Sequence, residues 1–196
     1  MRTSKEKDRK RKRRRRRLQV IVIYTAIAIG LAWFFELQAT TTIIFVRHAE
    51  QTSHEETDPS LNDAGKRRVA ELTRQLVDAD VVAGIDAIWS TDLKRSVETV
   101  QPLADRLDLL INLYPVTDTE VVLETILKKH KGKIILVVGH SNTVPAMIAN
   151  LGASKNVPPI AQNEFDNIYI ISIPWFGKTK TIRLRFGEPY VAPPLQ

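Results

Sequence analysis

The chain has 196 residues, enough for one domain of ordinary size with something added, and no cysteine, which excludes disulfides, thiolate catalysis and thiolate metal sites. Residues 1–17 hold 12 Lys and Arg against two acids, so of the net charge of +7 a balance of +10 belongs to this tail and −3 to the remainder. The basic composition therefore gives the folded part no case for nucleic-acid binding, and no repeat of roughly 20–50 residues suggests a solenoid.

In chain order, residues 9–17 form an unbroken basic run, and residues 18–37 (LQVIVIYTAIAIGLAWFFEL) follow with one ionisable acid, Glu36, at the far end. About 20 apolar residues in a helix span roughly 30 Å, the thickness of a bilayer's hydrocarbon core. Trp33, Phe34 and Phe35 stand where an aromatic belt is expected. The stretch lacks the polar face of a soluble surface helix, and a buried core helix is the competing reading. The basic run is expected to stay cytoplasmic, which places the chain after Leu37 outside the cytoplasm. A cleaved signal peptide is disfavoured, because Leu37 is not small where cleavage after Ala39 would need it and the apolar run is long.

Residues 41–46 (TTIIFV) read as a strand buried on both faces. A turn-rich stretch then leads into a helix whose Val69, Leu72, Leu76 and Val77 face the core. Residues 85–89 form a second strand. Asp92 is placed to cap the next helix, and Pro102 to kink or end it. Residues 109–113 give a third strand, 119–131 a helix, 133–138 a fourth buried strand, and 144–151 a short helix closed by Gly152. Residues 153–167 form a long loop, and 168–173 with 181–186 an edge hairpin about Gly177, with Ile182, Leu184 and Phe186 on its inner side. The alternation predicts an α/β fold: a mostly parallel central sheet, helices on both faces, and an antiparallel C-terminal hairpin.

Three apolar strands end in polar clusters: Arg47-His48-Ala49-Glu50, Ser90-Thr91-Asp92 with Arg95 one turn on, and His140-Ser141-Asn142-Thr143. Ligands of parallel α/β sheets bind beyond the carboxyl ends of the strands, so these residues are expected at one rim. Two arginines suit the charge of a transferring phosphoryl group, since each guanidinium donates a fixed fork of hydrogen bonds and stays ionised. Histidine supplies a nucleophile or a proton donor near neutral pH. His54, Glu55, Glu56 and Asp58 read as a solvated charge cluster rather than a metal site, and His130, among lysines at a helix end, as a solvated cation.

Arg47-His48-Ala49-Glu50 resembles the Arg-His-Gly-Glu motif of the histidine phosphatase superfamily, also called phosphoglycerate mutase-like. Residues 90–99 (STDLKRSVET) resemble its second block and Val138-Gly139-His140-Ser141 its third, in the same order. The resemblance runs from about Thr41 to Phe186, with Ala49 in place of the usual glycine. It implies His48 as a nucleophile that becomes phosphohistidine, Arg47, Arg95 and His140 as holders of the phosphoryl oxygens, and neither metal nor cofactor. Asp118 is the preferred general acid, with Glu120 and Asp166 as alternatives and helix capping as the plain role of Asp118. Thr52, Ser141 and Glu120 are expected to touch substrate.

The expected organisation is a basic cytoplasmic tail (1–17), a transmembrane signal anchor (18–37), a histidine phosphatase domain (40–188) and an irregular tail (189–196). The expected activity is phosphomonoester hydrolysis outside the cytoplasm on a phosphorylated small molecule or envelope component. The expected partner besides substrate is the lipid bilayer, not nucleic acid. The rivals are a phosphomutase of the same superfamily and a tethered binding module without catalysis. A mutase is disfavoured by the short chain between Arg95 and His140, which leaves no room for an enclosing insertion.

Overall fold

The structure, a computed structural model, describes residues 4–37, 40–52, 57–78, 84–154 and 156–192. His54, Glu55, Glu56 and Ala39 lie outside the described residues. The chain divides into two compact units, Met1–Ala39 and Thr40–Gln196.

The first unit is a single helix, α1 (Ser4–Leu37), which takes in the basic run as well as the apolar stretch. Arg11–Phe35 is the one stretch among the described residues long and apolar enough to cross a membrane, and none of it is buried by protein. Ile21, Tyr24, Ile29 and Trp33 are among its uncovered side chains.

The second unit is the expected α/β fold. Its strands are β1 (Thr40–Arg47), β2 (Ala87–Thr91), β3 (Ile111–Tyr114), β4 (Ile134–Gly139), β5 (Asn167–Pro174) and β6 (Lys180–Arg185). Its helices are α2 (Asp63–Asp78), α3 (Lys94–Leu107), α4 (Thr119–Lys129) and α5 (Thr143–Asn150). The strand order is β3-β2-β4-β1-β5-β6, with the first four mutually parallel and β5 and β6 antiparallel at one edge.

Alternation along each strand divides the core into two layers, because successive side chains point to opposite faces. Ile43, Phe45, Trp89, Ile135 and Val137 pack with Val122 and Ile126 of α4 and Val144 and Met147 of α5. Ile44, Val46, Ile88, Leu136 and Val138 pack on the other face with Leu72 and Leu76 of α2 and Val100 and Leu103 of α3. Both faces are covered, so the central strands read as continuous apolar runs.

Three local expectations are corrected. Asp92 does not cap α3: the cap position is Leu93, and the Asp58 carboxylate accepts from the Lys94 N–H at 2.9 Å. Pro102 neither ends nor divides α3, which runs five residues further because Leu103 and Ala104 are buried and hold the last turns to the sheet. Along β6, Ile182 and Leu184 are 55% and 49% exposed, and only Phe186, just beyond the strand, is buried. β6 is the outermost strand, paired on one side alone, and packing on its inner face begins only at Phe186, over which the Arg68 guanidinium lies at 5.6 Å.

Candidate active site

Register brings the motifs together. Arg47 of β1 lies beside Gly139 of β4, so the next residues, His48 and His140, leave the sheet side by side. Their ring centroids are 5.2 Å apart. β2 lies on the other side of β4, with Ser90 beside Val138, which brings Thr91 to His140. Arg95 stands on the first turn of α3, directly after that strand. Together with Ser141 and Asn142, these two histidines and two arginines line an open cleft of about 350 Å³. Gln51, Leu93, Val116 and Gln162 complete its wall.

The loop after β1 is held by its backbone. The His48 N–H donates to the Gly139 carbonyl at 3.1 Å, and the Ala49 N–H to Thr99 Oγ1 of α3 at 2.9 Å. Glu50 takes both oxygens to Arg68 of α2, at 2.8 and 3.0 Å from Nε. Arg68 also donates to the carbonyls of Phe186 and Glu188, so one guanidinium ties the site loop to the C-terminal segment. Gly65 lets α2 approach this closely, since a Cβ there would collide with the Glu50 carbonyl oxygen.

His48 is 4% exposed, and its Nδ1 lies 2.8 Å from the Ala49 carbonyl. A carbonyl only accepts, so Nδ1 carries the proton and Nε2 keeps its lone pair. Burial first, then the Arg47, His140 and Arg95 charges, push the imidazole pKa down to about 3, against the raising effect of the Ala49 contact. The ring is neutral at physiological pH, as a nucleophile requires. His140 is pushed down to about 4, by burial first and then by Arg95 and Arg47. Its Nε2 lies 3.1 Å from Thr91 Oγ1, which is 2.7 Å from Ser96 Oγ.

Arg47 is fixed from behind. Its Nη1 donates to the carbonyls of Ala161 and Glu164 at 2.7 and 3.0 Å, and its guanidinium lies 4.1 Å above the Phe165 ring. Burial lowers its pKa to about 10, which leaves it charged at neutral pH. The Nε atoms of Arg47 and Arg95 are buried and have no hydrogen-bond partner among the described residues. Two cations with unspent Nε donors, Arg47 held from behind and Arg95 on α3, stand beside a neutral, oriented imidazole and suit a tetrahedral anion.

The structure brings Arg47, His48, Arg95, His140 and Ser141 to the cleft, and leaves other expected residues outside its wall. Thr52 is exposed, with its N–H on the Ser60 carbonyl. Asp118 occupies the cap position of α4 without a side-chain capping bond, and its carboxylate accepts from Thr117 Oγ1. Glu120 lies in a separate cleft with Asn150 and Leu151, where Asn150 donates to it at 3.5 Å. Asp166 is buried and committed to Arg185 at 2.6 Å and the Tyr190 N–H at 2.8 Å. No group of three His, Asp or Glu able to hold a metal occurs among the described residues.

Sequence reasoning missed Thr91, Ser96 and Thr99, which fix His140 and the loop after β1, and Phe165, which backs Arg47. The first three stand within the block that carries Arg95, and Thr99 follows Arg95 by four residues on one helix face, a readable signal. Phe165 had none, because it arrives from a loop.

Residues 43–118 match the family model described as the histidine phosphatase superfamily (branch 1), a segment that contains Arg47, His48 and Arg95. A comparison with curated proteins finds no match. Among solved structures, the chain is similar to the protein histidine phosphatase SixA complexed with tungstate, with 17% identity, 74% of this chain and 96% of that chain covered, and a TM-score of 0.60. It is similar also to a mycobacterial glucosyl-3-phosphoglycerate phosphatase, at 13% identity, 68% and 90% coverage and a TM-score of 0.54. A third is phosphoserine phosphatase in complex with 3-phosphoglyceric acid from Entamoeba histolytica, at 16% identity, 76% and 97% coverage and a TM-score of 0.53. At these identities the structural likeness is one of fold. The family model covers the first two of the three motif blocks, and the solved structures share the α/β fold of the domain.

Proposed function

We propose that this chain, with the motif block and fold of the histidine phosphatase superfamily, is a membrane-anchored phosphomonoesterase that works through a phosphohistidine on His48. The observation that carries the reading is the neutral, oriented imidazole of His48 beside His140 and two buried arginine Nε donors. His48 Nε2 attacks phosphorus, the N–P bond forms, and the P–O bond to the leaving group breaks. Arg47, Arg95 and His140 hold the equatorial oxygens as charge develops, which is the main source of rate in phosphoryl transfer. Water then attacks phosphorus on the open side of the cleft, and His48 leaves as neutral imidazole. Ser141 at the cleft wall is the proposed substrate contact, with Thr52 and Glu120 as further candidates.

Asp118 is the proposed proton donor to the leaving oxygen. It stands two residues past Val116 of the cleft wall, on an exposed loop, and no carboxylate among the described residues lines the cleft itself. The anchor is α1: residues 18–37 span the bilayer, the basic run stays cytoplasmic, and the domain from Thr40 lies on the other side. Its substrate is a phosphorylated small molecule or envelope component.

The test is phosphate release from aryl and alkyl phosphates by the full chain in detergent, with acid-quenched enzyme examined for an acid-labile, alkali-stable label. His48→Ala is expected to lose both label and turnover, and full activity in that variant would refute the mechanism. Asp118→Asn is expected to slow alkyl phosphates more than aryl phosphates, whose leaving groups need less protonation.

A further inference from the structure

The end of the sheet opposite the cleft carries an aromatic and basic surface that catalysis does not use. Thr40, the first residue of β1, lies beside Pro174 at the end of β5. The β5–β6 hairpin then turns through Trp175, Phe176, Gly177 and Lys178, with Gly177 at φ +118. Trp175 is 70% and Phe176 89% exposed, and Lys178 and Lys180 are exposed beside them. On the other side of β1, the Thr42 N–H donates to the Lys133 carbonyl, and the Gly132 N–H to Thr41 Oγ1. The α4–β4 connection therefore reaches the same end and brings exposed Lys128, Lys129 and Lys131.

The strand order places these features on consecutive strands, β4, β1, β5 and β6. Among the described acids towards this end, Asp86 is paired with Lys133 at 2.7 Å, Asp78 at the end of α2 lies 3.9 Å from Arg74, and Asp105 and Asp108 stand at the end of α3, before β3 at the far edge of the sheet. The basic character runs against a domain whose chain beyond residue 17 carries a balance of −3. Exposed Trp and Phe flanked by Lys suit the boundary between headgroups and acyl chains, where a ring is half desolvated and an ammonium meets phosphate. Chain connectivity supplies the occupant: Thr40 follows Leu37 by three positions, a reach of about 10 Å when extended.

We propose that this end of the sheet is a bilayer-docking face, in which Trp175 and Phe176 enter the headgroup boundary while Lys128, Lys129, Lys131, Lys178 and Lys180 engage anionic headgroups. The inference rests on the reading of residues 18–37 as a membrane span. The hairpin is then a second attachment, which fixes the orientation of the domain on the surface.

Because the chain lacks cysteine, single nitroxide labels report depth without background. Thr179→Cys at the hairpin, Ile27→Cys in the middle of α1 and Lys66→Cys at the cleft end of α2 are placed in the full chain, in nanodiscs of phosphatidylcholine with or without phosphatidylglycerol. Labels at 27 and 179 are expected to collide more with oxygen than with a water-soluble chelate, and the label at 66 the reverse. Phosphatidylglycerol is expected to deepen the 179 label, and Lys178→Gln with Lys180→Gln to abolish that gain. A label at 179 as water-exposed as the one at 66, with 27 immersed, overturns the docking face and leaves the span standing. A label at 27 in water overturns both.

Discussion

Replacing His48 by Asn tests the burial of the nucleophile through the pH dependence of stability. Asn keeps a donor for the Ala49 carbonyl and removes the titrating ring. The folded pKa of His48 is about 3, below the ordinary value of 6.5. The unfolded chain therefore takes up this proton first as pH falls, so the stability contribution is complete above 6.5 and is lost as pH falls toward 3. Between pH 6.0 and 5.0 an unfolded histidine averages about nine-tenths protonated and folded His48 almost none, which costs about 1.2 kcal/mol over that interval. His140, at about 4, adds a similar loss, which the variant retains. The assay is urea unfolding at the two pH values on the fragment from Thr40, inside which both core layers lie. The wild-type fragment should lose about 1.2 kcal/mol more than His48→Asn between them. Equal losses would show that His48 titrates normally in the folded protein, and would refute the buried, neutral nucleophile.

Thr91→Val removes the hydroxyl that joins Ser96 to His140, and is expected to cost about 1–3 kcal/mol in unfolding free energy and to slow turnover, while Thr91→Ser restores most of both. Equal turnover in the Val and Ser variants would remove Thr91 from the positioning of His140. Gly65→Ala sets a methyl against the Glu50 carbonyl and should destabilise by about 1–3 kcal/mol, read from the same unfolding curves.

The central strands were legible because burial on both faces leaves an unbroken apolar signal, as in residues 43–46 and 135–138. Their carboxyl ends carried the site, so Arg47, His48, Arg95 and His140 could be assigned together from the sequence. Residues whose role depends on a distant partner were not legible. Asp58 caps a helix 36 residues away, and Phe165 meets Arg47 across more than a hundred residues. Pro102 misled because its local cost is real, and only the packing of Leu103 and Ala104 outweighs it. Asp118 and Glu120 were chosen by proximity to a loop, and a shift of two positions around a helix start sends the second to another cleft.

β1 begins just after the proposed anchor and ends beside His48, and its eight residues cover about 23 Å. A strand clamped between β4 and β5 cannot shorten, so it acts as a fixed standoff. With the domain docked as proposed above, a phosphate lying in the plane of the lipid headgroups stays below the reach of His48. That docking would match the site to cargo that projects well clear of that plane or diffuses past it, and would make the length of one strand a criterion of substrate choice.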